Sequence, residues 1–279
     1  MLLTARTYSD FSLESDYMSK SKELSVAIEA IKRASEKLRM LFRKNIIATQ
    51  KYGFDIRQVC SEADLQSEQI LRTDFQNSFP NYGILSEEAV SEQIQAKALW
   101  IIDPLCGSLF YSRGLTEWSV SVALMVEDII QVAVISNPYY HEIYWAERNH
   151  GAFLNGKRIQ VSNTINLEDS IISIGHRDLR LTQYETKSTS VLKYVKRLIT
   201  MDNHWALTQV AAGRIDATFR AEQPSYEAAA GSLLVSEAGG KVTNFNGDKL
   251  VIRRDKQRSN NIVASNGLIH EFLINTLHD

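Results

Sequence analysis

Acidic residues stand at the ends of two hydrophobic runs in this chain. Glu87 and Glu88 follow Ile84-Leu85-Ser86, and Asp103 follows Ala98-Leu99-Trp100-Ile101-Ile102. Asp103 opens the hexapeptide Asp103-Pro104-Leu105-Cys106-Gly107-Ser108. Asp64 and Glu227 lie in the first turns of two expected helices. Strand ends let a fold converge acids without burying them among apolar neighbours. Converging carboxylates repel one another unless protons or cations intervene. Oxygen ligands of this kind suit Mg²⁺ or Mn²⁺, which keep bound waters and add phosphate oxygens of a substrate. Gly107 and Ser108 open a turn whose backbone N–H groups can receive a phosphate. Each residue also has a plainer reading. Asp64 completes a helix capping box, Glu87-Glu88 is a solvated strand end, and Asp103-Pro104 is a turn. Glu227 is an acid at a helix N-terminus, and Cys106 is a small buried hydrophobe.

The elements that must position these groups follow from periodicity. Residues 1–20 are polar and aperiodic and are expected to form an N-terminal arm. Leu24, Ile28, Ile31, Ala34, Leu38 and Leu41 recur at helical spacing. Ser61-Glu62-Ala63-Asp64 predicts a second helix start, which ends before Phe79-Pro80. Strands are expected at 84–86, 98–102, 119–124 and 130–135, and Asn155-Gly156 predicts a type I′ hairpin turn. Adjacent strands without helices between them predict an antiparallel sheet. Beyond these, helices are expected at 191–198, 207–212, 225–238 with Ser225 as N-cap, and 269–277. Strands are expected at 216–219, 251–252 and 262–263. A soft boundary near 155–165 separates an N-terminal α+β domain (21–160) from a C-terminal α/β domain (161–279) that completes the site.

Composition excludes several classes. The 279 residues carry a formal charge of −2 with a pI near 6.3, giving no global attraction to nucleic acid or anionic membrane. Two cysteines without a Cys-x-x-Cys motif form no disulfide framework and fit a reducing cytoplasm. The first residues lack the apolar core of a signal peptide, and no run approaches the ~18 apolar residues of a membrane span.

The joint order of the motifs is more specific than any one of them. Ser61-Glu62-Ala63-Asp64, then Phe79-Pro80 with Ile84-Leu85-Ser86-Glu87-Glu88, precede Trp100-Ile101-Ile102-Asp103-Pro104-Leu105-Cys106-Gly107-Ser108 and Trp118-Ser119-Val120-Ser121. Asn137-Pro138, Gly151-Ala152-Phe153-Leu154-Asn155-Gly156 and Ala211-Ala212-Gly213-Arg214-Ile215-Asp216-Ala217 follow. Tyr226-Glu227-Ala228-Ala229-Ala230-Gly231 and Glu237-Ala238-Gly239-Gly240 close the series. Together they resemble the inositol monophosphatase family over about residues 24–265. The resemblance implies an α+β fold, a layered αβαβα sandwich with mixed and antiparallel sheets like that of fructose-1,6-bisphosphatase. It implies a metal-dependent phosphomonoesterase acting on a small inositol- or sugar-phosphate-like metabolite, as a homodimer.

The resemblance also implies roles. Glu87, Asp103 and the Leu105 carbonyl match the first Mg²⁺ site (Mn²⁺ being an alternative), Ser108 with Glu87 matches the water-activating pair, and Asp64 matches the acid supporting a further metal. Gly107 and Ser108 face the phosphate. The second metal site falls on Asp103, Cys106 and Glu227, where the family has three aspartates. Glu227 reaches one methylene further, and Cys106 exchanges a hard oxygen for a soft sulfur that Mg²⁺ disfavours. The polyol-binding Glu of the animal enzymes falls on Arg220, and a stretch of small residues beside the substrate becomes Asn203-His204-Trp205-Ala206. Arg220 and Trp205 are therefore the expected substrate contacts, Arg220 either binding a second anionic group of the substrate or simply pairing with Glu222 or another surface acid. The changes leave two further readings open. One is a catalytically impaired member that binds a phosphorylated ligand or a protein partner. The other is a thiolate site for a softer metal such as Zn²⁺, which requires a His close to Cys106 in space, such as His204.

Overall fold

Ser21 starts the first helix, its Oγ accepting from the Leu24 N–H at 3.1 Å. The computed structural model describes residues 20–42, 49–50, 59–60, 62–175, 190–191, 193–201, 203–258 and 260–278. The expected arm, apart from Lys20, and the expected helix cap at Ser61 lie outside the described residues. In chain order the elements are α1 (Lys22–Leu41), β1 (Thr49–Gln50), β2 (Val59–Cys60), α2 (Glu62–Ser78), β3 (Gly83–Ser86), β4 (Ala98–Cys106), α3 (Ser108–Ser112), β5 (Ser119–Val126) and β6 (Ile129–Asn137). They continue with β7 (Glu142–Glu147), β8 (Gly151–Leu154), β9 (Lys157–Ile159), β10 (Ile171–Ile174), β11 (Arg197–Thr200), α4 (Asn203–Ala211), β12 (Ala217–Gln223), α5 (Ser225–Glu237), β13 (Lys241–Thr243), β14 (Asn260–Ser265) and α6 (His270–His278).

Two sheets organise the chain. The larger has the order β3-β4-β5-β6-β7-β8-β9, antiparallel throughout except that β3 runs parallel to β4. The smaller is mixed, with the order β11-β10-β12-β14-β13. Period-two alternation gives the larger sheet two apolar faces. Trp100, Ile102, Val120, Val122 and Val134 pack with Leu24, Ile31 and Leu38 of α1 and Leu71 and Phe75 of α2. Leu99, Ile101, Ala123, Met125 and Ile135 pack with Leu207 of α4 and Leu233 and Leu234 of α5, and Ile262 and Ala264 of β14 join the same layer. On the far side of the small sheet, Ile172, Ala217, Phe219 and Val263 meet Ile269, Leu273 and Leu277. The result is five layers, αβαβα, as expected.

Local differences have local causes. Residues 197–198, expected to end a helix over 191–198, instead open β11 (Arg197–Thr200), held parallel to β10 at the sheet edge. Parallel pairing there outweighs the modest helix preference of a short apolar run. The strand expected at 251–252 is absent; Ile252 is instead buried from an irregular segment against the central layer. Ser225 is the first helical residue rather than the cap, because Pro224, with no N–H to lose, takes the N-cap position. The Asn155-Gly156 turn is as expected, with φ of 48° and 81° between β8 and β9.

Helices α4 and α5 carry residues of the site, and their separation rests on one glycine. A Cβ on Gly231 would stand 2.4 Å from Leu207 Cδ1 and 2.7 Å from Leu207 Cβ. Gly231→Ala is therefore expected to wedge the helices apart and to destabilise the fold by about 1–3 kcal/mol, the range for an extra carbon in a packed core. Urea unfolding measures this; an unchanged midpoint would mean that the two helices separate freely.

Candidate metal centre

The centre is built on an irregularity in β4. Asp103 pairs with Ser121 of β5 and Cys106 with Ser119, so three steps on β4 oppose two on its neighbour. This is a β-bulge of one extra residue. It sits at Pro104, which cannot donate to the ladder, and the Pro104 carbonyl accepts from Ser67 Oγ of α2 at 2.7 Å. One extra residue reverses which face later side chains occupy. Asp103 follows Leu99 and Ile101 toward α4 and α5. Leu105 then joins the opposite layer with Trp100 and Ile102, and Cys106 returns to the face of Asp103. Without the bulge, residues three apart would point to opposite faces.

Neighbouring elements supply the remaining groups. The Glu87 N–H donates to the Ile102 carbonyl at 3.2 Å, which holds Glu87 beside Asp103 where parallel β3 and β4 end. Asp64, in the first turn of α2, is buried and contributes to the field at Asp103. Glu227, in the first turn of α5, acts on both Asp103 and Cys106, and its Oε1 is 3.6 Å from Arg258. His204, in the first turn of α4, is fully buried, with Nε2 3.7 Å from Asp103 Oδ2. One ligand atom each from Asp103, Cys106 and His204 lies within 4.8 Å of the others.

The electrostatics follow from burial and crowding. Asp103 is 1% exposed, and neither carboxylate oxygen has an N–H or O–H donor among the described residues. The Cys106 thiol is the group that hydrogen bonds to it. Burial raises the Asp103 carboxyl well above its ordinary range, and Glu87, Glu227 and Asp64 raise it further. Burial likewise pushes the Cys106 thiol well up, reinforced by Asp103 and Glu227. The metal-free site thus holds a thiol, not a thiolate. Burial lowers His204 to about 4, Arg220 adding to the shift against the opposing pull of Glu227 and the Tyr226 carbonyl. At neutral pH the ring is uncharged, so its approach to Asp103 is not an ion pair. Nε2 lies 3.0 Å from the Tyr226 carbonyl, which can only accept, so Nε2 carries the proton. Nδ1 keeps its lone pair and lies 3.4 Å from Ser119 Oγ.

The expected substrate contacts are placed differently from one another. Trp205 is half-buried beside His204, its ring 4.9 Å from that of Tyr140. Arg220 is buried on β12, where it donates to Gln223 Oε1 at 3.3 Å and bears on His204. Ser108 is half-buried at the start of α3, directly after Gly107, whose φ of 85° turns the chain. Nothing in the sequence marks Ser119, the Tyr226 carbonyl or Arg258 as part of a site. Ser119 reads only as an alternating strand residue, and Arg258 sits in a polar segment without periodicity. The one available signal for His204 is its isolation among the small and apolar residues of α4.

The five-layer sandwich with acids gathered at the ends of β3 and β4 is the architecture of the inositol monophosphatase and fructose-1,6-bisphosphatase class. A crystal structure of the extragenic suppressor protein suhB from Bartonella henselae superimposes with a TM-score of 0.84 at 31% identity, covering 92% of this chain and 98% of that one. The chain belongs to the inositol monophosphatase family, whose sequence model matches residues 19–279. Its relatives include a fructose-1,6-bisphosphatase/inositol-1-monophosphatase of Thermotoga maritima, 29% identical over 92% of this chain and 96% of that protein. They also include an inositol-1-monophosphatase of Mesorhizobium japonicum, 32% identical with the same coverage.

Proposed function

We propose that this protein is a metal-dependent phosphomonoester hydrolase acting on a small inositol- or sugar-phosphate-like metabolite. One observation carries the reading: Asp103 is a buried carboxylate with no N–H or O–H donor among the described residues, crowded by further acids. A buried anion so arranged calls for a cation. Glu87, Asp103 and the Leu105 carbonyl are hard oxygen donors and fit Mg²⁺ or Mn²⁺. The Cys106 side does not fit Mg²⁺, because a buried protonated thiol is a poor ligand for it. When bound, Mg²⁺ supplies charge neutralisation and a more acidic water.

The chain's own groups do the rest. Glu87 and Asp103 would hold the ion, with Asp64 adding negative charge to the field at Asp103. Ser108 Oγ and the Glu87 carboxylate orient the attacking water. The backbone N–H groups after Gly107 receive phosphate oxygens. Trp205 and Arg220 shape the wall that meets the rest of the substrate. A homodimer is the assembly that the resemblance suggests, and the two cysteines without a Cys-x-x-Cys motif fit a reducing cytoplasm. Among the described residues no helix is long and apolar enough to cross a membrane.

Phosphate release from a panel of inositol and sugar phosphates, with Mg²⁺ or Mn²⁺, tests the proposal. Glu87→Ala is expected to lower release by about 10²–10³-fold, the cost of removing one electrostatic stabiliser. Release equal to that of the variant would refute turnover at this site. The Arg258–Glu227 approach and the protonated Cys106 favour a second reading, a member that binds a phosphorylated ligand without hydrolysing it. Calorimetric binding of a panel member without release would select it.

A further inference from the structure

Asp103, Cys106 and His204 come from two elements far apart in sequence and meet on one buried face. They offer one oxygen, one sulfur and one nitrogen. We propose that these three side chains form a site for a thiolate-preferring divalent ion of the zinc type, in place of a second Mg²⁺.

Thiolate and imidazole ligands select Zn²⁺ and its late-transition neighbours over Mg²⁺. Three protein ligands with one position left open are the pattern of zinc sites that act on a water or substrate. His204 is held as such ligands are. Its Nε2–H donates to the Tyr226 carbonyl at 3.0 Å, which fixes the ring and leaves Nδ1 as an acceptor, facing a Ser119 hydroxyl that a bound ion would displace. That nitrogen lies beside Ser119, the strand partner of Cys106. Asp103 brings two oxygens without N–H or O–H donors among the described residues, Oδ2 lying 3.7 Å from His204 Nε2 on the same ring. Ligand atoms around tetrahedral zinc stand roughly 3.3–3.8 Å apart. The three ligand atoms lie within 4.8 Å of one another, so binding would draw them closer together. On binding, Cys106 loses its thiol proton to solvent and the ion replaces it, with no change of oxidation state.

The test uses the full chain, stripped with chelator and titrated with Co²⁺ as a spectroscopic substitute for Zn²⁺. A thiolate-to-cobalt charge-transfer band is expected to saturate at one ion per chain, to bleach on adding Zn²⁺, and to persist in excess Mg²⁺. Cys106→Ser abolishes the band, His204→Ala weakens binding, and Cys60→Ser, which removes the other thiol, leaves the band intact. No band in the folded parent protein, a band that survives Cys106→Ser, or displacement of cobalt by Mg²⁺ as readily as by Zn²⁺ would each overturn the proposal. The spectrum is read without substrate. A silent phosphatase assay therefore leaves this inference standing, and an absent band leaves the hydrolase reading standing.

Discussion

Asp103→Asn is expected to lower phosphate release by at least about 10³-fold while making the metal-free protein more stable. The loss lies at the upper end for a single electrostatic stabiliser, because Asp103 faces both the Glu87 side and the Cys106–His204 side of the centre. The gain in stability has the opposite cause. The parent carboxyl is raised by burial and by Glu87, Glu227 and Asp64, so the folded state holds its proton more tightly than the unfolded chain does. Its favourable contribution is complete below the unfolded carboxylate value of about 4 and is lost as pH rises through the higher folded value. At neutral pH the metal-free parent bears this penalty and the amide does not. For a chain of this length each kcal/mol relieved raises the thermal midpoint by roughly 2–4 °C. Saturating metal reverses the order, since a ligand that binds only the folded state stabilises the parent alone. Thermal melts in chelator and in metal, across pH, measure both effects. A variant less stable than the parent in chelator at neutral pH, or one still stabilised by metal, would contradict the account.

Cys106→Asp is the second large effect, and its sign is a gain. The substitution supplies a hard oxygen on the face that the β4 bulge turns toward Asp103. Mg²⁺-dependent phosphate release should rise by about 10²-fold, the lower end for adding one electrostatic stabiliser. The same change adds a carboxylate to a buried cluster that already contains Asp64 and Asp103 beside Glu87 and Glu227. The metal-free variant should therefore melt earlier than the parent, and Mg²⁺ should restore more stability to it than to the parent. A folded variant with unchanged release would move the defect elsewhere. Glu227 is then the first suspect, because Arg258 stands 3.6 Å from its carboxylate, and the Cys106→Asp/Glu227→Asp double variant tests it.

Much of the fold was legible in residue order. The i, i+3, i+4 spacing of Leu24, Ile28, Ile31 and Leu38 produced α1 with those residues buried. The alternation around Val120 and Val122, and the Asn155-Gly156 turn, produced β5 and the β8–β9 hairpin. Weaker segments were decided by neighbours. Arg197–Thr200 became a strand because β10 offered an edge, whereas residues 251–252 stay irregular with Ile252 buried in the central layer. Proximity of Asp64, Glu87, Asp103, Cys106 and Glu227 could be expected only through resemblance, since their separations in sequence carry no distance information. The part played by His204 was conditional on its position in space.

The sequence by itself determined the chemistry of the candidate donors: hard oxygens at positions 64, 87, 103 and 227, and a soft sulfur at 106. It also determined the apolar periodicities that bury helices against sheets, because these depend on local geometry that repeats every few residues. Only the tertiary structure decided which donors share a face. An extra residue at Pro104 swings Cys106 onto the side of Asp103, and Gly231 lets α4 approach α5 closely enough to bring His204 to them. A bulge and a helix–helix contact depend on partners far along the chain, so no local pattern could announce them.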